Sequence, residues 1–328
     1  MKFYLCLLLM FSFIEQSHAQ KIIQDYSYER DSLRIGKGPK DFLPYSEKGF
    51  TLILPEGRQD FQGTVIALED YRLYGRDTLK YQSFSIEATK KGLAFLIIAT
   101  GVPFDLYFSE KSLIYSDTLM KSVFTHYHLP VKNIFLLGEM NCGHRALKYI
   151  EYCKNKKSVF NPPVKGVVLS ESAIDWVRQW YEGQKQVRDH LTEGGFFEGN
   201  MITYLFHENI KSTPASDISK YIEFSPYSYF DTDMKKPELY KDLSIRAYTY
   251  ADIRYWFSAQ GKGVYDSNYP DMSGFINEQK LIGNKKAELI VFHSSPDDKL
   301  NNKLKAQSST WNLVDKLELV DWIVNQSH

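Results

Sequence analysis

The stretch that decides the fold is "IFLLGEMNCGHRAL", residues 134–147. Four apolar residues, Ile134 to Leu137, run straight into Gly138. A run of that kind reads as a strand buried on both faces. The glycine marks a sharp turn, and the residues beyond it continue as a helix. The segment is therefore a strand, a tight bend and a helix in close succession.

The same grammar repeats on either side. Apolar strand segments occur at 50–55 ("FTLILP"), 63–68 ("GTVIAL"), 93–100 ("LAFLIIAT"), 133–138 ("NIFLLG"), 165–170 ("KGVVLS"), 244–250 ("SIRAYTY") and 287–293 ("AELIVFH"). "SIRAYTY" is the most polar of them. Helical segments lie near 77–91, 115–128, 143–155, 252–259, 271–283 and 315–325. Alternation of this kind predicts an α/β fold, a mostly parallel sheet flanked by helices, with right-handed crossovers. One gap breaks the rhythm. Between 170 and 244 the chain is aromatic-rich and partly helical ("DWVRQWYEG", "FFEGNMITYLFHENI"). A structureless loop of that length does not suit a compact domain, so residues 175–243 are expected to form a helical cap insertion over the carboxyl end of the sheet. Residues 20–49 are polar and punctuated by Gly and Pro; they are expected to lie on the domain as an arm contributing one edge strand.

Lys+Arg and Asp+Glu are both 40, for a formal net charge of zero. Nothing here suggests a nucleic-acid partner, which usually needs a basic face, and none is expected. The first nineteen residues stand apart. Lys2 is followed by "FYLCLLLMFSFI" (3–14), and Ser17 and Ala19 occupy the small-residue positions before a cut. This pattern predicts a signal peptide, residues 1–19, with the remaining 20–328 forming a single domain exported to the periplasm or beyond the cell. The run is shorter than the roughly 20 residues of a membrane span, and no later stretch is long and apolar enough, so no span is expected after cleavage. Cys142 and Cys153 remain. If both lie on one helix, eleven positions separate them by roughly 16 Å, too far for a disulfide. Two buried free thiols are expected, with no metal site and no cofactor.

From about residue 90 onward, the chain resembles exported bacterial α/β-hydrolase-like proteins. The segments that carry this are "KGLAFLIIATGVPFDLYFSEKSL" (91–113), "NIFLLGEMNCGHRALKYIEY" (133–152), "SPYSYFDTD" (225–233), "ADIRYWF" (251–257), "LIGNKKAELI" (281–290) and "STWNLVDKLELVDWI" (309–323). The resemblance implies the α/β-hydrolase fold and the positions of a Ser-His-Asp triad. In that family the bend of 134–147 is the nucleophile elbow. With Gly138 two positions before the nucleophile, the family's serine position falls on Met140, and Cys142 takes the small-residue position two beyond it. A register one residue later places Asn141 there. A thioether has no acidic proton and cannot become the attacking anion.

Asp252 follows "SIRAYTY" and matches the family's acid position; its alternative reading is an N-cap for the helix that begins there. The family's histidine lies shortly before a tryptophan after the last strand. Trp311 and Asp315 match, but the histidine position falls on Ser309. His293, at the end of the last strand, is a substitute base in space; a hydrogen-bonded structural role is its alternative. Without nucleophile and base the chemical step is lost, and binding is what remains. The sequence therefore predicts a pseudohydrolase that holds a small-molecule or peptide ligand in the cap–sheet cleft. An esterase or peptidase with a non-standard site is the alternative. Nothing in the sequence fixes an oligomeric state.

Overall fold

The structure, a computed structural model, describes residues 20–38, 42–57, 60–69, 77–99, 105–233, 235–293 and 310–327. Its centre is one eight-stranded sheet. The strands are β1 (Gln20–Arg34), β2 (Phe42–Pro55), β3 (Gly63–Glu69), β4 (Leu93–Ala99), β5 (Ile134–Glu139), β6 (Val164–Ser170), β7 (Ser244–Tyr250) and β8 (Ala287–Phe292). Their order across the sheet is β1-β2-β4-β3-β5-β6-β7-β8. β1, β2 and β4 pair antiparallel, and every pairing from β4 through β3 to β8 is parallel.

The apolar runs become strands because both faces are covered. In β3, Ile66 and Leu68 belong to one hydrophobic layer, which also takes in Met120 and Val123 of α2 (Glu110–His126), Ala146 and Leu147 of α3 (Asn141–Lys154) and Phe275 of α8 (Tyr269–Leu281). Val65 and Ala67 face the other way, against Phe84 and Ala88 of α1 (Gln82–Lys90) and Leu319 and Ile323 of α9 (Lys316–Asn325). Alternate residues of one strand thus serve two hydrophobic layers. The polar strand β7 is buried along its whole length. Arg246 is tolerated there because its guanidinium lies 4.7 Å from the Trp322 ring centroid and bonds Glu318 (2.7 Å) and Glu288 (3.1 Å).

The N-terminal arm differs from the expectation of one edge strand. It is a long hairpin, β1 with β2, that runs beyond the sheet: β2 pairs with β4 only over Gly49–Ile53. Ile35, at the tip, is buried against Met201 and Leu205 of the cap.

Between β6 and β7 lie α4 (Trp176–Asp189), α5 (Glu193–Ile210) and α6 (Ile218–Phe224). They share a core of their own, with Trp176, Val177, Trp180, Ile202, Phe206 and Tyr221 buried together. Many of the aromatic residues of this segment are therefore spent inside the cap. α7 (Ile253–Gln260) follows β7. Among the described residues, no helix is long and apolar enough to cross a membrane.

Candidate active site

The bend between β5 and α3 is as tight as its sequence suggests. Met140 stands at its tip with φ 53° and ψ −125°. This left-handed region is sparsely populated by non-glycine residues and persists only where surrounding structure enforces it. The enforcement is visible: the Met140 N–H donates to the carbonyl of Ser170 (2.9 Å), and Gly143 N–H donates back to the Met140 carbonyl (3.2 Å). A Cβ on Gly138 would lie 2.3 Å from Gly143 Cα, and one on Gly143 would lie 2.0 Å from Ser172 Oγ. The glycine that the bend packs against is thus Gly143, three residues past the tip, rather than the residue at Cys142. The Met140 side chain is 44% exposed. Asn141 begins α3, one residue past the tip.

Cys142 turns inward to a buried polar cluster. Its thiol donates to Glu69 Oε2 (3.3 Å). The Lys80 ammonium bridges Glu69 (3.1 Å) and Glu139 (2.8 Å), and Tyr81 OH also donates to Glu69. Arg145, fully buried, donates to the carbonyls of Leu68 (3.0 Å) and Asp105. Burial pushes the Glu69 carboxyl up, but Lys80 and the Tyr81 hydroxyl outweigh it and hold it below its ordinary value. Burial, then the Glu69 charge, pushes the Cys142 thiol well up, so it stays protonated and inert. Cys153 is also a buried free thiol.

His144 is fully buried on α3. Its Nε2 accepts from Trp176 Nε1 (3.4 Å), and its ring sits 4.5 Å from Trp176 and 5.3 Å from Phe224 between centroids. Burial holds its pKa well below the usual histidine range, with Lys148 and Lys236 adding to the effect. It seats the cap on the elbow helix as a neutral aromatic.

Asp252 stands at the corner after β7 and is buried. Its carbonyl accepts from Trp256 N (3.1 Å) in the first turn of α7, and its Oδ1 is 4.0 Å from Arg254 Nε. His293, one residue past β8, is exposed. Among the described residues no hydrogen bond joins His293 to Asp252 or to the elbow. Ser309 lies outside the described residues, and Thr310 and Trp311 just after it are buried.

Three glutamates at this sheet edge belong to no motif in the sequence: Glu69, Glu139 and Glu171. Glu171 directly follows β6, with φ 46°. Its Oε2 accepts from Tyr250 N (2.8 Å), Thr310 Oγ1 (2.9 Å) and Thr249 Oγ1 (3.1 Å). Its Oε1 is buried without a hydrogen-bond partner among the described residues. Burial raises its pKa against those three bonds. Glu171 thus ties the acid corner to the returning chain beside the elbow. Glu69, Glu139 and Glu171 each close an apolar strand run at the same sheet edge. A carboxylate ending a buried strand was the signal that could have found all three.

A second buried group holds the cap's first helix. Asp175 caps α4, accepting from Val177 N (3.0 Å), Ser228 Oγ (3.1 Å) and Tyr229 N (3.0 Å). Asp271 of α8 accepts from Ile174 N (2.9 Å), Asp175 N (3.0 Å) and Arg178. Burial, then Asp271, pushes the Asp175 carboxyl up to about 6. Among the described residues no cluster of His, Cys, Asp and Glu could hold a metal ion.

No family model matches the chain, and no curated protein sequence does. Solved structures do match. Carboxyl esterase 2 from the fungus Tuber melanosporum superposes with a TM-score of 0.56 at 11% identity, over 96% of this chain and 90% of that one. An ester-hydrolase from the metagenome of Lake Arreo, complexed with a bipyridine phosphonate derivative, gives 0.55 at 12%, over 93% and 82%. A hyperthermophilic esterase from the archaeon Pyrobaculum calidifontis gives 0.52 at 12%, over 99% and 87%. The chain has the α/β-hydrolase fold, a mostly parallel sheet with helices on both faces. At such identities the likeness is one of fold, and function rests on the site.

Proposed function

We propose that this protein is an exported pseudohydrolase, which binds a small-molecule or peptide ligand between cap and sheet without turning it over. The observation that carries the reading is Met140: the side chain at the strained, exposed tip of the bend is a thioether. A bend of this kind is where α/β-hydrolases present their nucleophile, and a thioether cannot be activated by a base.

The test is turnover by the purified protein of short p-nitrophenyl esters and aminoacyl p-nitroanilides. The expected rate equals that of buffer, with no labelling by a serine-directed phosphonate. Turnover abolished by Asp252→Ala or His293→Ala would overturn the proposal. A second reading, an esterase with a non-standard site, is favoured by two observations: a strained bend lies beside buried carboxylates, and the structures of similar fold are named as esterases. Export is tested separately, by sequencing the N-terminus of protein recovered outside the cytoplasm; a start at Gln20 is expected, and Met1 would refute it.

A further inference from the structure

The sheet ends in two edges of different construction. β8 is six residues long. β1 runs for 15 residues, and among the described residues it pairs with β2 alone. An open edge presents unpaired backbone N–H and C=O groups. Proteins blunt such edges by shortness, proline or a bulge. From Gln20 to Arg30, β1 has no proline, and its register with β2 is unbroken. Lys21, Ile22, Gln24 and Asp25 are exposed, Ile22 by 52%.

Charges can still guard an edge, so the pattern of charge decides what it accepts. When two identical strands pair antiparallel about a two-fold axis, each residue faces its mirror position across that axis. With the axis at Ile23, Lys21 of each copy faces Asp25 of the other, twice by symmetry. Ile22 then faces Gln24, and Ile23 faces itself. An axis at Gln24 sets Ile23 against Asp25. An axis at Asp25 sets that carboxylate against its own copy. An axis at Tyr26 sets Ile22 against Arg30 and Ile23 against Glu29. Within this stretch the Ile23 axis pairs opposite charges while keeping the central isoleucines together.

We propose that β1 is a self-association edge: two copies of this chain join antiparallel at Ile23, forming one continuous sheet closed by two Lys21–Asp25 pairs. The test combines light scattering after size exclusion with charge reversal. The wild-type protein at high micromolar concentration is expected to be a dimer. Lys21→Asp alone and Asp25→Lys alone each place like charges opposite one another twice, and each should weaken the dimer by about tenfold or more. The double variant Lys21→Asp/Asp25→Lys should restore it. These side chains are exposed, so the fold does not depend on them. Independently, Ile23→Cys should oxidise to a disulfide-linked dimer, and Ser27→Cys should not. A monomeric wild type, or a dimer unmoved by either single reversal, would overturn the proposal.

Discussion

Met140 concentrates the chemistry in one residue. Its backbone holds the strained bend, and its side chain is a thioether, which cannot serve as an activated nucleophile. Serine placed there still needs a base. Met140→Ser alone is therefore expected to leave ester hydrolysis at the level of buffer. Met140→Ser with Ser309→His, using the native Asp252, is expected to give weak hydrolysis, measurable with p-nitrophenyl acetate and blocked by a phosphonate. Phosphonate labelling of Asn141→Ser in place of Met140→Ser would shift the register by one. The bend itself rests on Gly138 and Gly143. Gly143→Ala drives a methyl into Ser172, and overpacking of this kind costs about 1–3 kcal/mol or more; urea unfolding measures it. The thiols behave as a matched pair. Cys142 and Cys153 should resist a thiol reagent in the folded protein at pH 8, and both should react once it is denatured.

The strands and the elbow were legible in the sequence because each is an apolar run covered on both faces, and such runs have few other solutions. β1 was not. It is a ribbon exposed along much of its length, so its side chains carry no clean alternation, and Lys21 and Asp25 look like loop residues. The glutamate cluster was hidden for another reason. Lys80 meets Glu69 and Glu139 because β3 lies beside β5, and adjacency in a sheet is not written in local spacing. The cap's first helix makes its own prediction. Asp175 sits near Asp271 in a buried setting that pushes it up to about 6, above the ordinary value of about 3.9 for aspartate. The folded chain then binds this proton more tightly than the unfolded chain. The group's contribution to stability is greatest below about pH 4 and is lost as pH rises through 6. Over that window the slope is at most about 1.4 kcal/mol per pH unit. Asp175→Asn, which can still cap α4, should remove this slope when urea midpoints are compared between pH 4.5 and 7.

Across the whole molecule, Asp105, also raised to about 6 by burial, and Glu278, raised to about 7 by burial with Asp231 and Asp175 adding, act in the same sense as Asp175. His144 acts in the opposite sense: its folded pKa is depressed by burial, so its contribution is lost as pH falls below the ordinary histidine value of about 6.5. Replacing His144 with Phe should keep the stacking against Trp176 and Phe224 and raise acid stability relative to wild type, as thermal unfolding at pH 5 would show. The carboxyl edge gathers ionisable groups whose values are moved by burial and by each other, a setting typical of active sites, although the side chain at the bend's tip is inert.

The hairpin tip carries a consequence for how the chain reaches this state. Ile35 is made well before its partners Met201 and Leu205, which belong to a helix far along the chain. Contacts between distant parts of a chain demand loop closure before they return any stability, and they form slowly. During synthesis the tip of the hairpin must therefore wait for its buried partners until α5 has emerged and folded. Docking of the tip is the step that joins the hairpin to its cap, and a chain cut before residue 201 would lack the two buried side chains that receive it.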